Sequence, residues 1–139
     1  MKINGAPEKY LLDTSALLTW LEGEDGALRV HALLQHGHAL LVWTTLLEVH
    51  YIPLQERGER IAAQRYATLM QLPVTVLWEV SEPIILLAVS FKANFHLSFA
   101  DALIAASASY HHAILVHKDP EFEALRDQVR LEALPFKQS

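Results

Sequence analysis

The chain has no cysteine, which excludes disulfides and thiolate-held metals. It also lacks a long apolar run. Stretches such as residues 84–89 are far too short to cross a bilayer. Residues 1–9 carry charge and no apolar segment of the signal-peptide kind, so a cytoplasmic location is expected. Cationic excess is missing as well. Eleven Lys and Arg stand against 16 Asp and Glu, a formal charge of −5, which gives no general attraction for nucleic acid. A role on nucleic acid therefore needs a local basic patch or bound cations. No internal repeat, low-complexity stretch or linker interrupts the 139 residues, and one domain over 1–139 is expected, long enough for a proper core.

Apolar residues, by contrast, are abundant. They make up 52% of the chain, and the mean hydropathy is +0.18. That richness favours strands covered on both faces, or an apolar subunit interface. Short apolar runs alternate with helical periods. Strands are expected at 10–12, 39–43, 74–80 and 113–117, with an edge strand at 129–134. Helices are expected at 14–21, 27–35, 44–56, 59–72, from Ser81 onward with Pro83 in the first turn, from Ser98 to about Tyr110, and briefly from Asp119-Pro120 to about Arg126. Pro53 should bend or shorten the helix it falls in. Such alternation implies right-handed crossovers and a mostly parallel sheet with helices on both faces.

Four acids stand at the joints of this pattern. Asp13 and Asp119 lie just past the carboxyl ends of expected strands, and Glu48 lies one helical turn beyond another. In an open parallel sheet those ends share one edge, where ligands bind. Asp101 begins the helix that leads into the strand at 113–117, and its placement depends on the fold. Each acid also has a local explanation. Asp13 and Asp119 suit helix N-caps, Thr45-x-x-Glu48 has the form of a capping box, and Ser98-x-x-Asp101 has the same form with a shorter acid. If all four converge, they need a counter-ion, because two like charges ~4 Å apart repel by ~4 kcal/mol at an effective dielectric of ~20. Hard oxygen ligands without thiols suit Mg²⁺ or Mn²⁺, ions that activate water, orient a phosphodiester and stabilise its leaving oxygen.

The segments "YLLDTSALL", "TTLLEV", "SFADALIAASA" and "ILVHKDPEFEAL" resemble the four acidic motifs of PIN-domain ribonucleases. The resemblance is closest to the VapC-type toxins of toxin–antitoxin pairs and runs over residues 9–136. It implies a three-layer α/β/α sandwich with a central, mostly parallel sheet, and metal-dependent hydrolysis of RNA that leaves 5′-phosphate and 3′-hydroxyl ends. On that likeness Asp13, Glu48, Asp101 and Asp119 are the first to fourth metal-binding acids, and Ser15 orients the first acid or a bound water. A homodimer and a cognate antitoxin, docked through a short amphipathic segment, are implied in the same way. The chain departs from its relatives at "VHKD", where they often carry Thr or an apolar residue before the last acid.

Arg57, Arg60 and Arg65, in or beside the hairpin of helices between the second and third strands, are candidates for phosphate contact, as are Lys92, His96 and Lys118. The competing reading is a solvated face, which Glu56 and Glu59 favour for the first group. The eight histidines show no zinc-ligand frame, and Trp20, Trp43 and Trp78 read as core or interface. Two other functions fit the same alternation: a phospho-signalling receiver, which would need a paired acid at an early strand exit, and a catalytically silent PIN module kept for protein binding. A metal-dependent endoribonuclease uses all four acids and is the leading expectation.

Overall fold

The computed structural model describes residues 2, 3 and 6–137. Two short strands, β1 (Lys2–Ile3) and β2 (Ala6–Pro7), pair antiparallel ahead of the main body. The rest runs β3 (Tyr10–Leu12), α1 (Thr14–Glu22), α2 (Ala27–Gln35), β4 (Ala39–Val42), α3 (Trp43–Arg57), α4 (Glu59–Met70), β5 (Val74–Leu77), α5 (Glu82–Asn94), α6 (Phe99–Tyr110) and β6 (Ile114–His117). A 3-10 segment (Pro120–Leu125) and β7 (Leu131–Ala133) complete it. Five strands form one all-parallel sheet in the order β5-β4-β3-β6-β7. This is the PIN-like α/β/α architecture.

Neighbouring residues of the central strands point to opposite faces, and each face meets its own core. Leu11, Leu40, Val42 and Leu115 pack with Ile84, Phe91 and Leu103 of α5 and α6. Leu12, Ala39, Leu41 and Val116 pack with Leu17, Leu34 and Leu46 of α1, α2 and α3. Burial on both sides is why these strands read as continuous apolar runs rather than alternating ones. Because the five strands run parallel, their carboxyl ends share one edge of the sheet, and Asp13 and Asp119 follow two of those ends.

Several local expectations are corrected. Pro53 neither stops nor shortens α3, which continues to Arg57 before Gly58. The buried proline ring adds apolar packing that offsets the one backbone hydrogen bond it removes. Thr45 and Glu48 do not form a capping box, because α3 starts at Trp43 with Val42 as its N-cap. The Thr45 hydroxyl is buried without a hydrogen-bond partner. Ser81 holds the N-cap position of α5 but its side chain accepts no capping bond. Ser98 does cap α6, accepting from the Asp101 N–H at 3.1 Å. Of the two readings of Trp43 and Trp78, core or interface, only the core one is overturned: both are exposed and line a surface groove with Tyr51 and Tyr66. Among the described residues, no helix is long and apolar enough to cross a membrane.

Candidate active site

Asp13 extends the ladder one step beyond β3, donating its N–H to the Val116 carbonyl at 3.1 Å. Its side chain then turns back to cap α1, accepting from the Ala16 N–H at 2.8 Å. The carboxylate is buried at 3% exposure. Ser15 Oγ lies 2.7 and 2.8 Å from its two oxygens, so one hydroxyl proton is shared between them. The same Oγ accepts from the Lys118 N–H at 2.9 Å, which ties the exit of β3 to the exit of β6. Burial pushes the Asp13 pKa from 3.8 up to about 7. The Ser15 and Ala16 hydrogen bonds oppose that rise, and the charges of Asp101 and Asp119 add to it.

The other acids enter from three different elements. Glu48 stands on α3, half-buried, and accepts from Thr14 Oγ1 at 2.6 Å. Asp101 lies in the first turn of α6, where burial first, and then the charges of Asp119, Glu48 and Glu121, push its pKa up to about 6. Asp119 caps the 3-10 segment by accepting from the Glu121 N–H at 3.0 Å, with Pro120 next in the chain. Carboxylate oxygens of Asp101, Asp119 and Glu121 all lie within 4.8 Å of one another.

Three further contributors lie outside the acids and cations singled out from the sequence. Glu121 follows Asp119-Pro120 at a strand exit, a signal the sequence reading leaves unused. The Thr14 hydroxyl fixes Glu48 across 34 residues of chain. His117, two residues before Asp119, is completely buried. Its Nδ1 accepts from the Asp119 N–H at 3.1 Å, so the ring proton sits on Nε2, 3.0 Å from Glu123 Oε2. Burial holds its pKa below the usual histidine value, against the opposing pull of Glu123.

The candidate cations are mostly engaged elsewhere. Arg57 and Arg65 both bind Glu22, each at 2.7 Å, and Arg60 is solvent-exposed. Lys92 Nζ donates to the Leu97 carbonyl at 3.0 Å. His96 is almost fully exposed, 3.8 Å from Glu121. Lys118 Nζ turns to Glu24 at 3.4 Å and to the Asp25 carbonyl at 3.2 Å. Among the described residues, none of Asp13, Glu48, Asp101 and Asp119 sits in an ion pair. The Asp101, Asp119 and Glu121 carboxylates form an all-oxygen donor group, and Asp13 feels the charges of Asp101 and Asp119; such a set fits a hard divalent ion such as Mg²⁺ or Mn²⁺.

The family model for the PIN domain matches residues 10–128, and the chain belongs to that family. Solved structures share its fold. A toxin–antitoxin complex from Klebsiella pneumoniae contains a chain 18% identical, with a TM-score of 0.70 over 93% of this chain and 100% of that one. VapBC2 from Rickettsia felis, bound to a fragment of its promoter DNA, matches at 16% identity and a TM-score of 0.74 over 91% and 98%. VapC20 of Mycobacterium tuberculosis, described as a sarcin–ricin loop cleaving toxin, matches at 19% and 0.70 over 91% and 100%. Comparison with curated protein sequences finds no match. Family membership removes the ground for a phospho-signalling receiver.

Proposed function

We propose that this protein is a Mg²⁺- or Mn²⁺-dependent endoribonuclease and the toxin of a VapBC-type pair. The observation that carries the reading is Asp13: a carboxylate buried at 3% exposure, facing other acids and no cation, with its pKa raised to about 7. Burying charge this way is costly for a protein that needs only a helix cap. It is useful where a divalent cation supplies the missing positive charge. When bound, such ions would promote attack of water on phosphorus and stabilise the departing oxygen.

Asp13, Glu48, Asp101 and Asp119 would hold the cations, with Glu121 beside the last two. Ser15 positions Asp13 by contacting both its oxygens, and Thr14 positions Glu48. His117 fixes the backbone of Asp119, and so the direction in which that side chain leaves β6. The silent-module alternative has little support, since all four motif acids are present and two of them, Asp101 and Asp119, cluster with Glu121.

The remaining surface suits the proposed assemblies. Ile85, Leu86, Val89 and Phe99 expose a broad apolar face on α5 and α6, which supports a homodimer. The groove bearing Trp43 and Trp78 on the opposite side of the sheet suits an amphipathic antitoxin segment. The decisive experiment incubates purified protein with structured RNAs, among them a sarcin–ricin stem-loop, with Mg²⁺ or Mn²⁺ and with chelator. Cleavage should require the metal and fall by about 100-fold or more in Asp13→Asn and Asp101→Asn. Metal-independent cutting, or cutting at near the wild-type rate in either variant, would refute the proposal.

A further inference from the structure

A pocket of about 370 Å³ opens beside the acids, between α1, the turn after β6 and the C-terminal segment. That volume is within the usual range for a small-ligand site. Its walls include Ser15 and Asp119, both part of the acidic group, so an occupant of the pocket adjoins the proposed reaction centre. Leu18, Glu24, Lys118, Pro120, Phe136 and Lys137 complete the lining. We infer that this pocket is a nucleotide subsite, in which the unstacked base of a single-stranded RNA residue next to the scissile phosphate packs on the ring of Phe136.

Three observations converge on that occupant. Phe136 is 40% exposed, and its ring lies against His117, with centroids 6.1 Å apart. His117 is itself immobilised by hydrogen bonds at both ring nitrogens, to Glu123 and to the Asp119 N–H. The phenyl ring is therefore braced from behind and open in front, which is the arrangement of a base-stacking platform. Next, Lys118 and Lys137 both reach the carboxylate of Glu24, at 3.4 and 3.0 Å. The two lysines offset the Glu24 and Asp119 carboxylates that also line the pocket, so its wall does not repel phosphate as the acidic centre beside it does. Finally, Leu18 and Pro120 join Phe136 in the apolar part of the lining, which suits the flat face of a base better than a hydrated ion, while the Glu24 carboxylate is held by the two lysines. A paired, stacked base cannot enter such a pocket, so the site selects single strands, loops and bulges over helical RNA.

The inference rests on the nuclease reading, and the test separates the two. Binding is measured by fluorescence anisotropy with fluorescein-labelled single-stranded A12 RNA, with Ca²⁺ replacing Mg²⁺ to slow turnover. Cleavage of a stem-loop RNA is measured in parallel with Mg²⁺. Phe136→Ala should weaken A12 binding by about 10- to 100-fold, the usual worth of one stacked base, while Phe136→Trp retains it. A single abasic residue placed at the responsive position should cost wild type the same factor and cost Phe136→Ala nothing further. Lys137→Ala should lower the salt dependence of binding by about one ion. Should Phe136→Ala fold poorly by circular dichroism, Phe136→Leu, which keeps bulk but has no π face, replaces it. Unchanged A12 affinity and unchanged cut sites in these variants, alongside metal-dependent cleavage by wild type, would overturn the subsite and leave the nuclease standing. Absence of both RNA binding and cleavage in wild type would overturn both.

Discussion

Strand β3 has a buried carboxylate near each end, and the two are solved differently. Glu8, two residues before the strand, is 6% exposed and pairs with Arg130 Nη1 at 2.8 Å. Arg130 is in turn anchored on the His112 carbonyl by its other terminal nitrogen, at 2.6 Å. Asp13, directly after the strand, is equally buried but meets a hydroxyl, an amide and further acids. A buried acid that has its own guanidinium is a rivet between distant parts of the chain. A buried acid surrounded by acids leaves its charge to be balanced from solution, and that is a site.

The sharpest way to break this comparison is to neutralise each acid. Asp13→Asn should reduce RNA cleavage by about 10²–10³-fold, the cost of losing one preorganised charge at a reacting phosphate. It should at the same time raise the melting temperature of the metal-free protein at pH 8, because a buried charge has gone. Glu8→Gln should do the reverse, lowering the melting temperature while leaving cleavage per folded molecule near wild type. Equal behaviour of the two variants in melting and cleavage assays would erase the distinction.

The second prediction concerns pH. Asp13 has its folded pKa raised from 3.8 to about 7, so the folded protein binds this proton more tightly than the unfolded chain does. Its contribution is therefore complete below about pH 4 and is lost as pH climbs to about 7, after which it stays flat. The rise corresponds to about 4 kcal/mol in full. Asp101, raised to about 6 but partly solvated, adds a smaller loss of the same sign. Without metal, thermal melts should show a more stable protein at pH 5 than at pH 8. Added Mg²⁺ should close that gap by stabilising the pH 8 form much more than the pH 5 form. Identical Mg²⁺ effects at the two pH values would count against the acids as the binding site.

The third prediction addresses the other end of the strand. Arg130→Ala leaves the Glu8 carboxylate buried without its partner and should cost about 3 kcal/mol, the low end for a broken buried pair because Arg130 is partly exposed. The loss should be the same with and without Mg²⁺. Pairing Arg130→Met with Glu8→Gln should recover part of it, since neither charge then remains.

How much of this was legible beforehand depended on whether a signal was local. Helix α2 was read to the residue and the central strands to within a residue or two of their cores, because apolar runs between Gly and Pro leave little choice. Asp13 and Asp119 could be found because a strand exit and a helix start coincide at each. Pro53 misled because tertiary packing overrode a backbone rule. The start of α3 misled because Val42 has no side-chain oxygen to announce a cap. Thr14 and Glu48 meet across 34 residues, and no periodicity encodes that contact. Glu121 needed the tighter 3-10 turn to bring it alongside Asp101 and Asp119. The Glu8–Arg130 pair, 122 residues apart, was equally invisible, so sequence alone could not tell the rivet from the site.

The smallest expected effect separates them most finely. The Ser15 hydroxyl gives Asp13 the largest of the contributions that hold its pKa down. Ser15→Ala removes it and should push that pKa further up. The acid limb of the pH–rate profile should then move to higher pH, lowering cleavage at pH 7 by about 10-fold, equal to ~1.4 kcal/mol, with little loss at pH 9. The cost has a pH signature because protons compete with the divalent ion for Asp13, so a more basic carboxylate is emptied of metal at a higher pH. If Ser15 did no more than start α1 and join it to Lys118, the variant would lose rate or stability uniformly, and the profile would keep its shape. A shifted limb in Ser15→Ala, together with an unshifted one in Arg130→Ala, would mean that hydrogen bonds tune the charge at one end of β3 while an ion pair merely fastens it at the other.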